Sequence, residues 1–470
     1  MNNIKNFLFN KVNLVYFSIT IMMLSTVTML SPFTTELNIV ILLWGGIYFI
    51  YDIITKRSCI NSKYKVYLII YMIIFFISII LNIENNLIDN LKTFVYTGFF
   101  LFVLYSYDTK KELHNTQKEL VNFNNIVIFI SSITSFIAII MFILLIQFTY
   151  NDIPQGFIYP DSPALWGLYS NPNSGGMIAT LSIILTIVNI YLYKILNTKT
   201  ISKTKFSYYI FNIVTQWLYL VLCNSRGAVL SLLATILFGV FYKYFYKFKE
   251  KFNIIKSIII SLLISFIVFF GYNIFLSISK STLAYIPKYV EELTSTNNVN
   301  TPNSDIEINL DREIKSGHIS TGRAEIWSYG LNTLKFNPLF GHGPGNIGLA
   351  KQKLYPNDTS KYVITNNMHN GYIQILLSNG ILGIIFFGIF MILIAKDSLI
   401  AILNHNININ KNHKETIVLI LAPILAIAVN GMFENVILLT QSYITTILWT
   451  CMGYLSLCLS NLHLKKNVKC

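Results

Sequence analysis

Charge is what this sequence has least of: only 12% of its 470 residues are Asp, Glu, Lys or Arg, against roughly 25% in soluble domains. A chain so poor in charge cannot clothe the surface of a water-soluble fold of this size. Cysteine is scarce as well. Cys59, Cys223, Cys451, Cys458 and Cys470 are the whole set, two of them inside the last apolar run, and their spacing fits neither a disulfide framework nor a metal site. Also missing is a convincing small-residue cleavage site after the first apolar run, which has only Lys5 and Lys11 ahead of it. That run is expected to be a retained helix rather than a removed signal peptide.

What the chain has instead is apolar sequence, with 54% hydrophobic residues and a mean hydropathy of +0.57. The apolar residues gather in runs long enough to cross a hydrocarbon core about 30 Å thick. Twelve are read, at 12–31, 37–55, 64–81, 91–107, 124–148, 174–196, 207–223, 227–246, 254–278, 371–394, 416–433 and 437–460. The expected fold is an all-α polytopic membrane protein of about twelve transmembrane helices. It divides into helices 1–9 over 1–278, one large extracytoplasmic loop over 279–370, and helices 10–12 with a tail over 371–470.

The net charge of +14 is distributed by side. With the charges sorted by the alternating faces that these runs create, one face and both termini hold 24 of the 35 Lys and Arg but 7 of the 21 acids. Basic loops resist translocation, so that face and both termini are expected to be cytoplasmic. The charge is a topology signal, and it argues against nucleic acid as a partner.

Two loops on the other face are long. Thr149 to Asn173 mixes Pro154, Gly156, Pro160, Pro163 and Pro172 with aromatics. Within 279–370, Glu291 to Asp311 is rich in Asn, Ser and Thr and reads as mobile. A short amphipathic helix is expected at 321–336, with Thr321 or Ser320 as N-cap and Asn337-Pro338 beyond its end. Its apolar side, Ile326, Trp327, Leu331 and Leu334, suits the surface of the membrane domain. Gly341-His342-Gly343-Pro344-Gly345 then makes a tight turn. A loop this organised is usually functional. No internal repeat of the transporter kind is visible.

Three residues on this face stand out for chemistry. Arg226 sits in Asn224-Ser225-Arg226-Gly227, Arg323 in Gly322-Arg323-Ala324-Glu325, and His369 in Asn367-Met368-His369-Asn370. Only Arg57, Arg226, Arg312 and Arg323 are arginine in a chain that otherwise uses lysine, and arginine's planar fork suits phosphate. An interface anchor explains Arg226 equally well. His369 titrates near working pH and could serve as a general base, though a lone His at a helix mouth is more often a cap. His342 could be simple turn chemistry, and dispersed His318, His342 and His369 make a metal site a poor reading.

Four stretches in order give these residues a common context. They are Ser170-Asn171-Pro172-Asn173; Ser225-Arg226-Gly227 with Leu230; Gly322 to Trp327 followed by Asn337 to Gly345; and His369-Asn370 followed by Gly380-Ile381-Leu382-Gly383. Together they resemble the O-antigen ligase and polymerase family of membrane glycosyltransferases, over about 170–390. The resemblance implies a C-type glycosyltransferase-like fold in a bacterial plasma membrane. It also implies metal-independent, inverting transfer on the extracytoplasmic face, without a cofactor. The donor would be a glycan on undecaprenyl pyrophosphate and the acceptor a sugar hydroxyl. Carried over by residue, Arg226 and Arg323 would hold the pyrophosphate and His369 would activate the acceptor.

Asn370, Tyr372, His342, Asn173 and Glu434 are further candidates for substrate contact. Gly380 and Gly383, at i and i+3 on the tenth helix, would let another helix approach closely. Membrane lipids are expected neighbours, and chain-length regulator and flippase proteins are candidate companions. Polymerases and ligases share these stretches; Ile384 after Gly383 leans the reading to a polymerase of a capsular or O-antigen-type polysaccharide. An O-antigen ligase is the alternative. A flippase ranks lower, since transporters often show charges or broken-helix repeats at mid-membrane.

Overall fold

The computed structural model describes residues 2–107, 111–158, 163–196, 201–295, 310, 322–403 and 410–467. Its helices, in chain order, are α1 (Asn2–Leu8), α2 (Lys11–Leu24), α3 (Ser31–Thr55), α4 (Ser58–Asn61), α5 (Lys65–Leu81), α6 (Leu87–Gly98), α7 (Leu113–Ile143), α8 (Pro172–Ile195), α9 (Lys203–Leu222), α10 (Arg226–Lys249), α11 (Ile254–Ser295), α12 (Arg323–Leu331), α13 (Ile347–Leu354), α14 (Lys361–Ile364), α15 (Gly371–Leu403), α16 (Lys411–Asn430) and α17 (Tyr443–Asn467). Every expected apolar run falls on one of them.

Among the described residues, nine helical stretches are long and apolar enough to cross a membrane. α2 and α5 are apolar but shorter, at 14 and 17 residues. α9 has the length, at 20 residues, but spends one side on buried Asn212, Thr215 and Gln216. The architecture is that of an all-α polytopic membrane protein.

Several boundaries differ from expectation, one of them by far the most. The run at 254–278 continues as helix to Ser295, giving α11 42 residues with Pro287 inside. At 1.5 Å per residue that is about 63 Å of helix, twice a hydrocarbon core. Apolarity stops where lipid stops, whereas helical hydrogen bonding continues through Lys280 to Tyr289. Most of the Asn-, Ser- and Thr-rich stretch that follows, together with His318, Ser320 and Thr321, lies outside the described residues.

The chain forms two compact units. The second, residues 23–34 and 124–314, has α8 at its centre. Side chains of α7, α8 and α9 hydrogen-bond across the interior: Asn124 Nδ2 to Asn189 Oδ1 at 2.8 Å, Ser131 Oγ to Ser182 Oγ at 2.7 Å, and Ser135 Oγ to Gln216 Oε1 at 2.9 Å. Such uncharged bonds hold helices together where lipid supplies no hydrophobic drive.

This unit also contains a small antiparallel sheet, β1 (Gln147–Tyr150), β2 (Ile153–Ile158) and β3 (Ala164–Gly167), in the order β1-β2-β3. Asn151 and Asp152, at φ 47° and 61°, form its two-residue turn, the left-handed pair that matches strand twist. Tyr219 of α9 donates to the Leu165 and Trp166 carbonyls and ties β3 to the helices.

The first unit covers residues 1–22, 35–123 and 315–470. Here α5 packs along α15, with Tyr71 donating to Asn379 Oδ1 at 2.9 Å and Ser78 to the Ser378 carbonyl at 2.9 Å. Tyr105, Phe390 and Trp449 form a buried ring cluster. The loop elements α12 to α14 and the outer end of α15 belong to this unit.

Candidate active site

α12 begins immediately after Gly322, whose φ of 80° reverses the chain into the helix. The expected element at 321–336 is shorter than anticipated: α12 ends at Leu331 and gives way to a 3₁₀ turn, Asn332–Lys335. Its apolar side is buried against the loop itself and α15, except for Leu331, which stays 40% exposed. Ile326, Ile347, Met368 and Leu377 form one cluster, with Trp327 and Leu334 packed against it.

The glycine turn that follows is built into a break in α15. Gly380, at φ 67° and ψ −171°, interrupts that helix. The freed backbone groups are taken up by the turn: His342 N donates to Leu377 O, Gly343 N to Ser378 O, Ile381 N to Pro338 O and Leu382 N to Leu339 O, all within 2.8–3.2 Å. A broken membrane helix is tolerated only when protein re-satisfies its backbone, and these four bonds do so. A Cβ at Gly341 would lie 2.6 Å from Gly380 N and Leu377 O, and one at Gly380 would run into the Leu339 carbonyl.

This corrects the role expected for Gly380. It is not a notch on a continuous helix but the break that receives the loop. Gly383 makes room for the Asn379 side chain, with Tyr71 of α5 beyond it.

The turn is clamped from its other side by asparagines. Asn90 Oδ1 accepts from Gly345 N at 2.8 Å, and Asn86 Nδ2 donates to Gly345 O at 2.8 Å. His342 is 5% exposed, with Nε2 3.1 Å from the Thr333 carbonyl. Burial holds its imidazole below the ordinary histidine value. The ring is engaged inside the loop rather than beside His369.

Three residues do converge. Arg323 Nη2 donates to Glu434 Oε1 at 2.9 Å, and Glu434 Oε2 lies 3.0 Å from His369 Nδ1. Side-chain exposures of 25%, 19% and 36% for Arg323, Glu434 and His369 leave the group at the surface of a cleft, neither sealed nor free in solvent. A carboxylate can only accept, so Nδ1 carries a proton, and in the neutral tautomer that this bond selects, Nε2 presents the lone pair. Among the described residues that lone pair has no partner.

The chain around His369 is held with unusual thoroughness. His369 adopts φ 45°, a left-handed conformation uncommon for a side chain of this size. Its amide donates to Asn367 Oδ1 at 2.9 Å. Buried Gln374 grips the same turn at two points, accepting from Met368 N at 2.9 Å and donating to Asn366 O at 3.1 Å. Trp327, one turn after Arg323 on α12, donates to Met368 O at 2.8 Å.

Asn370 is the N-cap of α15: Oδ1 accepts from Tyr372 N and Ile373 N, and Nδ2 donates to Met432 O. Tyr372 OH donates to Ala428 O at 2.9 Å. Both therefore fasten α15 to the end of α16 and the turn that carries Glu434.

Arg226 and Asn173 belong to the second unit. Arg226 is the first residue of α10, exposed, and makes no hydrogen bond or ion pair with the described residues. Asn224, at φ 55°, shapes the turn before it, donating to the Pro163 and Leu310 carbonyls and accepting from Lys280 Nζ at 3.1 Å. Asn173 N is capped by Asn171 Oδ1 at the start of α8. The starts of α8 and α10 adjoin, because a Cβ on Gly176 would come within 2.8 Å of Ser225 Cβ.

Gln374 escaped the reading of the sequence because one polar residue on an apolar helix looks like a tolerated exception. The Asn367-Met368-His369 spacing, an Asx turn onto the His amide, is the signal that points to a held His. Among the described residues, no three His, Cys, Asp or Glu side chains gather as metal ligands would.

Membrane-spanning helices, a loop seated in a broken helix and a His–Glu–Arg cluster at that helix's mouth define a polytopic membrane protein with an enzyme-like centre. Residues 211–388 match the family model described as O-Antigen ligase, so this part of the chain is similar to that family. The match includes Arg226, Arg323 and His369, whereas Glu434 lies beyond it. A match over this part of the chain is consistent with glycan transfer of the O-antigen ligase or polymerase type. No curated protein matches the chain.

Proposed function

We propose that the protein transfers a glycan from an undecaprenyl-pyrophosphate carrier to the hydroxyl of an acceptor sugar, joining repeat units into a surface polysaccharide. The observation that carries this reading is the Glu434–His369 bond, which leaves Nε2 as a base at the mouth of α15.

In the proposed step the acceptor hydroxyl loses its proton to His369 Nε2 as its oxygen attacks the anomeric carbon. The bond from that carbon to the pyrophosphate oxygen breaks, and its electron pair leaves with the carrier. Glu434 stabilises the imidazolium that forms, as an orienting carboxylate does in other acyl- and group-transfer sites. A pyrophosphate is already a good leaving group, so no further energy source is needed outside the cell. Single displacement inverts the anomeric configuration.

Negative charge grows on the departing oxygen, where fixed guanidiniums act most strongly. Arg323 is oriented by a single bond to Glu434 and keeps further N–H groups for an anion. Arg226, exposed at a positive helix end, is suited to the same role. These arginines supply, in this reading, the positive charge that a divalent cation gives other phosphate-leaving-group enzymes.

The test is deletion of the gene in its host with the surface glycans run on a gel. Single repeat units on the normal acceptor, without long chains, are the expected result. Long chains on the undecaprenyl carrier with none on the final acceptor would identify a ligase instead. An unchanged glycan profile would remove both readings.

A further inference from the structure

A second site lies in the first unit, at the far end of α15 from His369. There Lys63 pairs with Asp397, roughly 35–40 Å along α15 from Gly371 at 1.5 Å per residue. Beside this end is a cavity of about 360 Å³ whose walls include Asn10, Lys11, Lys56, Ser58, Lys111 and Glu119. Three lysines meet one carboxylate.

The lysines are in different situations. Lys11 forms the floor, bonded to the Leu104 and Ser106 carbonyls with its ammonium 3.4 Å from the Tyr107 ring centroid. Lys111 pairs with Glu119. Lys56 is exposed and makes no hydrogen bond or ion pair with the described residues. Lys111 is paired and Lys11 is buried within electrostatic reach of Asp52, so the excess positive charge of the cavity rests on Lys56, which together with the Ser58 hydroxyl suits a phosphate monoanion.

The surroundings say what kind of phosphate. α1 lies against α3 through Trp44 Nε1, which donates to Leu8 O at 2.7 Å, and through the Phe7–Trp44 ring contact. It leaves Phe7 and Leu8 54% and 40% exposed. A basic recess whose wall residue Asn10 directly follows a helix with exposed apolar side chains fits a headgroup with its acyl chains attached, and a free anion would gain nothing from those side chains. Basic pockets between membrane helices hold anionic headgroups in this way.

We infer that this cavity binds the phosphodiester headgroup of an anionic phospholipid from the leaflet opposite the His369 cluster, with Phe7 and Leu8 against its chains. The lipid would brace α1 and α2 against the loop between α3 and α5. A volume of about 360 Å³ is in the range of small-molecule sites and accommodates a glycerophosphate group.

The experiment is thermal unfolding of the full-length protein in uncharged detergent, titrated with phosphatidylglycerol, phosphatidylcholine or inorganic phosphate. Phosphatidylglycerol is expected to raise Tm saturably, and the other two are not. Lys56→Gln should weaken the apparent affinity about 5-fold, and Lys56→Gln with Lys111→Gln about 30-fold, from roughly 1 kcal/mol per lysine. Lys92→Gln, an exposed lysine outside the cavity, should change nothing. Lys56 is exposed and its ammonium only approaches the Tyr51 ring at 5.9 Å, so its substitution changes the unliganded Tm little and the comparison is interpretable. Equal stabilisation by phosphatidylcholine, by inorganic phosphate, or of the Lys56→Gln protein by phosphatidylglycerol would overturn the assignment.

Discussion

Glu434 and His369, 65 residues apart in the chain, face each other with carboxylate Oε2 3.0 Å from imidazole Nδ1. The other oxygen of the same carboxylate holds Arg323. One acid thus sets the tautomer of a base and the aim of a guanidinium together. A carboxamide could keep one of these contacts but not the charge. Glu434→Gln is expected to lower the turnover of glycan transfer about 100-fold or more, with little change in KM for the acceptor. Steady-state assays with lipid-linked donor check this, and wild-type turnover in the variant would remove Glu434 from the mechanism.

Arg226 gives the complementary case. It is exposed and unbonded among the described residues, so folding does not depend on it. Arg226→Lys keeps the charge but loses the planar fork. Transfer should fall about tenfold or more while Tm stays within about 1 °C of wild type, since surface changes cost little. Full activity in this variant would mean that Arg226 only anchors α10 at the interface.

Gly380 is where the loop and the helix share a backbone. At φ 67° with the Leu339 carbonyl against its α-carbon, any side chain both strains the backbone and displaces Pro338–Gly343. Gly380→Ala should cost on the order of 1–3 kcal/mol, read as a lower unfolding temperature. Activity should fall with it, because His369 opens the same helix. Gly388→Ala on α15, where a Cβ meets nothing, is the matched control and should be silent.

Acid should loosen the same junction. Burial lowers the His342 pKa below its ordinary 6.5, so the unfolded chain takes up that proton more readily than the folded one. The stability that His342 contributes is complete above about pH 6.5 and is lost as pH falls through the folded value. Unfolding temperature should therefore drop between about pH 7 and about pH 5, and His342→Gln should show a shallower drop. Parallel curves for the two proteins would mean that other groups carry the acid sensitivity.

How much of this could be read from sequence depends on which physical signal each part leaves. Apolar runs are forced by the bilayer, so all the long helices were visible, with ends off where polar helix continues into water, most of all at α11, which runs on from 278 to Ser295. The sheet was missed although Asn151-Asp152 between Gln147–Tyr150 and Ile153–Ile158 is a hairpin signal. Prolines and glycines in that stretch suggested irregular loop.

The candidate centre was legible in part. Arg323 and His369 stand in recognisable local patterns, and Glu434 was named only as a residue able to reach the cleft. Its bond to both is a tertiary fact that no spacing encodes. The break at Gly380 left a trace in Ser378-Asn379-Gly380, a turn-type triplet inside an otherwise apolar run, which the length of that run outweighed. His342 looked available on a glycine turn, and only the fold reveals Thr333 as its partner.

The most direct test of the account is complementation of a deletion strain with wild-type protein or His369→Ala, with membrane levels matched by immunoblot and surface glycans resolved on a gel. His369→Ala should reach the membrane normally and produce no transferred or polymerised glycan. Normal glycan chains from that variant would contradict the claim that His369 is the base.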